Sequence, residues 1–160
     1  KLLFQPGTFH INEGAERFAR IYRRTEVVVV NREEAVLITG GSHENLHELI
    51  DKMHALGPKI VCISDGPNGA YFSNGTTRFK MPLYPDPAPP VERTGAGDAF
   101  ASTLLAGLLH GLELVDAAKW APVNSMNVVQ HVGAQEGLLT VEQLMALLRQ
   151  APDWYKPEAF

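Results

Sequence analysis

Apolar residues occur along this chain in two kinds of run. Val27-Val28-Val29-Val30 and Ile60-Val61-Cys62-Ile63 are short and unbroken. Neither alternates apolar with polar, so both predict strands buried on both faces, as in a parallel sheet covered by helices. Leu2–Phe4 reads as a further short strand, closed by the turn Gln5-Pro6-Gly7. The other runs are periodic. Ala15, Phe18, Ala19 and Tyr22 predict a helix over Asn12–Arg23, and Glu33–Leu37 a short one before the break at Gly40-Gly41. Leu46, Leu49, Ile50, Met53 and Leu56 predict a helix from His43 to Leu56, with Ser42 as its N-cap and Gly57-Pro58 as its end.

The second half continues in the same style. After the turn Gly66-Pro67-Asn68-Gly69, the segments Ala70–Ser73 and Thr77–Met81 predict a hairpin through Asn74-Gly75. Pro82–Pro90 holds five prolines and reads as extended loop. Helices are expected at about Asp98–His110, Leu114–Val129 and Val141–Gln150. Strands and helices in this order give an α/β architecture with helices against a mainly parallel sheet.

Composition narrows the class of partner. The 160 residues suffice for one domain with a hydrophobic core. Apolar residues at 45%, charged residues at 20% and a net charge of −4 describe a soluble globular chain whose main partner is neither nucleic acid nor membrane. Apolar runs stay far short of the ~20 residues of a membrane span. Cys62 is the one cysteine, so no internal disulfide forms. Its place in an apolar strand predicts a buried, inert thiol, and a reducing cytoplasm fits. The chain opens on Lys1 and enters Leu2-Leu3-Phe4 at once. We read it as a piece of a longer protein, with removal of a tag or leader as the alternative.

Candidate chemistry centres on Arg93-Thr94-Gly95-Ala96-Gly97-Asp98-Ala99-Phe100, between the proline loop and a long apolar helix. Two glycines let the backbone turn tightly and approach a bulky anion. The helix start adds unpaired N–H groups and a partial positive charge, which together make an anion site. A carboxylate at its mouth opposes phosphate binding. Asp98 makes sense there if it accepts a proton from a hydroxyl that attacks the phosphoryl group. The alternative is that Asp98 only favours the helix dipole and the glycines only make a turn. The motif is neither a Walker A loop nor a complete dinucleotide fingerprint, because Phe100 stands where the third glycine belongs.

Thr94-Gly95-Ala96-Gly97-Asp98-Ala99-Phe100 resembles the second signature of the PfkB (ribokinase-like) carbohydrate kinases. Three further segments resemble that family in the same order: Asn31-Arg32-Glu33-Glu34, Ser64-Asp65-Gly66-Pro67-Asn68-Gly69 and Gly133-Ala134-Gln135. The resemblance implies a three-layer ribokinase-like α/β/α sandwich, present as its C-terminal portion. Residues 1–160 would then form a single nucleotide-binding and catalytic portion, without the N-terminal sugar-binding half and lid. It implies ATP-dependent phosphoryl transfer to a hydroxyl of a sugar or sugar-like substrate, with Asp98 as base and the amides of Gly95, Ala96 and Gly97 as anion hole. It further implies that Asn31 and Glu34 position Mg²⁺ and phosphate, and that Ser64, Gly66 and Gly69 contact the nucleotide. Asn124 would contact the base or, alternatively, serve as a packed polar residue. In isolation Asn31 reads equally as a strand-end cap, Glu34 as a solvated helix residue, and Gly66 and Gly69 as turn formers.

The match also departs from the family. Glu92 and Arg93 stand where the family carries Asp-Thr, the Asp often belonging to a monovalent-cation site, so potassium activation is left open. A homodimer of the full-length parent is compatible with the resemblance, and the 160 residues alone are expected to be inactive or nearly so. A non-catalytic nucleotide-binding or assembly module is the alternative reading. A third is a zinc metallopeptidase, because His43-Glu44-Asn45-Leu46-His47 matches His-Glu-x-x-His, and His54 follows close to the same predicted face. Ile50 and Met53 occupy the positions where the extended zinc motif needs glycine and a third histidine. We read these residues as the polar flank of the Leu46/Leu49/Met53 stripe.

Overall fold

The computed structural model describes residues 2–160. The chain divides into two compact units, the first running up to Lys80 and including Ala159–Phe160, the second Met81–Glu158. The unbroken apolar runs form the strands the sequence predicts. Leu3–Phe4 (β1), Val27–Asn31 (β2) and Ile60–Ser64 (β3) lie parallel, and Ala70–Ser73 (β4) turns back antiparallel to β3. Arg78–Met81 (β5) and Glu158–Ala159 (β6) complete a sheet of order β1-β2-β3-β4-β5-β6. The β4–β5 loop is held by the Asn74 side chain, whose carbonyl accepts the Thr76 and Thr77 amides, while Gly75 takes a positive φ of 88°.

Valine and isoleucine fill both faces of β2 and β3. On one face Val28, Val30, Val61 and Ile63 pack with Phe4, Tyr22 and Ala35 and with Leu49, Ile50 and Met53. On the other, Val27, Val29 and Cys62 are equally buried, and burial pushes the Cys62 thiol pKa upward. Full burial of such a side chain stabilises the fold by about 1.5–3 kcal/mol.

Helix ends differ from the sequence expectation for local reasons. Of the helix expected over Asn12–Arg23 only Ala19–Tyr22 (α2) forms; a separate helix, Thr8–Asn12 (α1), ends where the expected one begins, and Gly14, at φ 85°, breaks the chain between them. Arg32–Thr39 (α3) is longer than Glu33–Leu37, since Asn31 caps its start and Gly40, at φ 63°, closes its end. Leu46–Ala55 (α4) starts later than His43. Asn45, not Ser42, supplies the cap, accepting the Glu48 amide at 3.0 Å.

The second unit is helical: Ala96–Leu109 (α5), Leu114–Val128 (α6, continuing through Pro122) and Val141–Arg149 (α7). The pair α5/α6 closes on small residues, including Ala99, Ala101, Ala117, Ala118 and Ala121, all buried. A Cβ on Gly107 would lie 2.9 Å from the Ala117 Cβ and 3.1 Å from its Cα. Tyr84 donates to the Leu147 carbonyl and Tyr155 to that of Lys119, their rings meeting edge to face at 5.0 Å. Among the described residues no helix is long and apolar enough to cross a membrane. Because α5 and α6 touch backbone to backbone at Gly107, Gly107→Val should destabilise the protein by about 3 kcal/mol. Urea unfolding, read as a fall in midpoint at unchanged slope, checks this.

Candidate active site

In the first unit the candidate polar residues gather at the C-terminal ends of β2 and β3. The parallel register pairs Asn31 with Ser64, so the last residue of each strand stands beside the other. This is where open α/β sheets bind ligands, outside the carboxyl ends of their strands. Asn31 and Glu34 form a reciprocal capping box. The Asn31 side-chain carbonyl accepts the Glu34 amide at 2.7 Å, and Glu34 Oε2 accepts the Asn31 amide at 2.8 Å. Among the described residues Glu34 Oε1 has no hydrogen-bond donor. Ser64 Oγ lies 3.5 Å from the Val30 carbonyl.

The turn after β3 is built by its own backbone. Asp65 N–H donates to the Gly69 carbonyl at 2.8 Å, and Gly66 and Gly69 take positive φ of 48° and 92° around a 3₁₀ turn. A side chain that the motif reading did not single out braces it. Arg32 donates to Asp65 Oδ2 at 2.7 Å and, through two guanidinium nitrogens, to the His43 carbonyl at 2.9 and 2.6 Å. Asp65 also accepts from the Asn68 amide group at 3.2 Å. Both charged side chains are largely buried, 15% exposed for Arg32 and 12% for Asp65. Burying such a pair is tolerable only because the hydrogen bonds are made on both sides. Its sequence signal was faint: a basic residue inside the Asn31–Glu34 motif and an acidic one inside the glycine turn.

The second unit presents the glycine turn at the start of α5. Gly95 is the N-cap in left-handed conformation, φ 79°. A Cβ there would lie 2.5 Å from the Ala134 Cβ and 2.6 Å from its Cα, so only glycine fits. The Ala96 amide donates to the Arg93 carbonyl at 3.3 Å. The Gly95 and Gly97 amides have no acceptor among the described residues. Asp98 lies in the first turn of α5, exposed, with no hydrogen bond or ion pair among the described residues. Free amides at a helix start suit an anion, and an unpaired carboxylate beside them suits proton abstraction.

The segment after α6 supports this turn. Val91 and Glu92 amides donate to the Val129 carbonyl, at 2.8 and 3.2 Å, and Ser125 Oγ donates to that of Ala96 at 3.0 Å. Glu92 Oε2 accepts the Gly133 amide at 3.0 Å. Hydrogen bonds from the Thr94 hydroxyl and the Gly133 amide hold the Glu92 carboxyl below the usual carboxylate range.

Asn124 is buried, and both ends of its amide are engaged within the chain. It donates to Thr103 Oγ1 at 2.7 Å and accepts the Leu139 amide at 3.0 Å. That is the packed polar arrangement. The His-Glu-x-x-His residues do not share a helix, because His43 and Glu44 precede α4. His47 stacks on Phe160 and lies 3.1 Å from Arg78, while His54 bridges the Pro58 carbonyl and Ser73 Oγ. Among the described residues no three His, Cys, Asp or Glu side chains converge on a metal position.

Residues 11–141 match the pfkB family of carbohydrate kinases, and the chain belongs to that family. Two curated relatives illustrate its range. The chain is 28% identical over 133 residues to a 5-dehydro-2-deoxygluconokinase of Clostridium tetani, covering 80% of this chain and 38% of that one. It is 33% identical over 113 residues to a cytidine kinase of Thermococcus kodakarensis, covering 71% and 40%. It thus spans about two fifths of the length of these relatives. Among solved structures it superposes with a TM-score of 0.76 on Arabidopsis thaliana ribokinase complexed with ribose and ATP, at 22% identity, over 82% of this chain and 43% of that one. The fold is accordingly a mixed α/β ribokinase-like one.

Two outcomes follow from the turn. Gly95→Ala combines a disfavoured φ with a clash against Ala134 and should lower the urea midpoint by about 2 kcal/mol or more in free-energy terms. For Glu92, the folded pKa lies below the unfolded value of about 4.3. Its stabilising contribution is therefore complete above that pH and lost as pH falls through the folded value. The melting temperature of Glu92→Gln should fall less steeply than wild type between about pH 5 and pH 2.

Proposed function

We propose that this chain carries the phosphoryl-transfer apparatus of an ATP-dependent kinase acting on a hydroxyl of a sugar or sugar-like alcohol. The observation that carries the reading is the exposed, unpaired Asp98 carboxylate one residue after the free Gly97 amide, at the start of a 14-residue helix. Asp98 accepts the proton of the attacking hydroxyl as its oxygen bonds to the γ-phosphorus and the bond to the ADP oxygen breaks. The amides of Gly95 and Gly97, with Ala96 between them, stabilise the charge on the phosphoryl oxygens as an oxyanion hole does. Positioning and charge stabilisation are most of what such a reaction asks of a protein.

Mg²⁺ supplies charge neutralisation on the ATP phosphates. Asn31 and Glu34 would hold it through water, since Mg²⁺ keeps much of its hydration, and the unengaged Glu34 Oε1 supports that role. Ser64, Gly66 and Gly69 would line the nucleotide, with Arg32 and Asp65 keeping the turn in place. Asn124 is assigned a packing role. A cytoplasmic setting accords with the single reduced Cys62.

A thermal-shift titration of this chain with Mg·ATP tests the nucleotide reading. The melting temperature should rise with ligand concentration, as binding to the folded state requires, and the rise should vanish in Gly97→Val. In the full-length protein, Asp98→Asn should lower turnover by about 10²–10⁴-fold, the usual worth of a general base, and leave Mg·ATP affinity within a few fold. Near-normal turnover in Asp98→Asn would remove it from the role.

A further inference from the structure

Glu92 makes contacts that a surface carboxylate does not need. Its Oε2 accepts the Gly133 amide across 41 residues of sequence, at 3.0 Å. The backbone of Glu92 is fastened as well, since its amide and that of Val91 share the Val129 carbonyl. Gly133 takes φ 91°, and the next residue, Ala134, is the one whose Cα and Cβ lie where a Gly95 Cβ would stand. Glu92 thus holds the residue before Ala134 while its own backbone is fixed three residues before Gly95.

We propose that Glu92 is a positioning residue for the phosphate turn. Through Gly133 it seats Ala134 behind Gly95, so that the Gly95 and Gly97 amides keep their direction. The role follows from reach and hydrogen-bond acceptance rather than charge alone. It rests on the reading of the Gly95–Gly97 turn as a phosphate site.

The test is calorimetric titration of Mg·ATP into the full-length wild-type protein and into its Glu92→Ala, Glu92→Asp, Glu92→Gln and Thr140→Ala variants. Glutamine keeps an acceptor at the length needed for the Gly133 amide; aspartate keeps the charge and loses the reach. Thr140→Ala removes the cap of α7 and controls for general loss of stability. Losing one hydrogen bond to a charged group corresponds to about tenfold in affinity. Glu92→Ala and Glu92→Asp should each weaken Mg·ATP by about that factor, while Glu92→Gln stays within about threefold and Thr140→Ala is unchanged. If Glu92→Ala does not fold, Glu92→Asp is read in its place. Wild-type affinity in Glu92→Asp, or a loss in Glu92→Gln as large as in Glu92→Asp, overturns the proposal while the phosphate reading stands. Failure of the full-length wild-type protein to bind Mg·ATP overturns that reading and the proposal together.

Discussion

A strand buried on both faces can carry polar side chains only where it ends. That constraint organises the first unit. Val27–Val30 and Ile60–Ile63 leave no position on β2 or β3 where a polar side chain could meet water without breaking the core. Slipping one strand by a residue would draw Asn31 or Ser64 inward and strand its polar atoms, a cost of a few kcal/mol before any apolar contact is lost. The register that avoids this places Asn31 beside Ser64, and the residues just beyond them, Arg32 and Asp65, come close enough for an ion pair. The candidate nucleotide groups are collected by the demands of the core.

The second unit solves a different problem with small residues. The turn before α5 leaves the Gly95 and Gly97 amides free, and free amides usually mean loose backbone, because rigidity comes from hydrogen-bonding those same amides. Here the stiffness comes from behind. Ala134 fills the space a side chain at position 95 would occupy, and α6 with the segment after it is tied to residues 91–96 through Ser125, Val129 and Gly133. The amides that face outward are spared.

Local signals in the sequence carried strands β1–β5, the α4 stripe and the glycine turn, because each depends on residues a few positions apart; β6, two exposed residues, carries no such signal. What escaped depends on distance or on a single torsion. The break at Gly14 lies at the entry to the Ala15–Tyr22 periodic run and shows itself as a positive φ. Asn45 and Ser42 are both good caps, and which of them serves depends on where the backbone enters α4. The Arg32–Asp65 pair spans 33 residues and the Glu92–Gly133 bond 41, beyond any window in which periodicity operates. Asn124 could be read two ways because a polar residue in a helix declares its side only when its neighbours are known, and Thr103 and Leu139 are those neighbours.

Phe160 rests against His47 and Tyr71 and packs on the core that α4 helps build. The first unit is therefore assembled from a long early segment and two residues that follow Glu158. During synthesis it must wait for everything from Met81 to Glu158 to be translated before that ring and β6 can be added. At about 5–20 residues per second the wait is on the order of ten seconds. Through that interval the outer edge of β5 lacks β6 and Tyr71 lacks the Phe160 ring, so the first unit keeps an open edge until residues 158–160 are made.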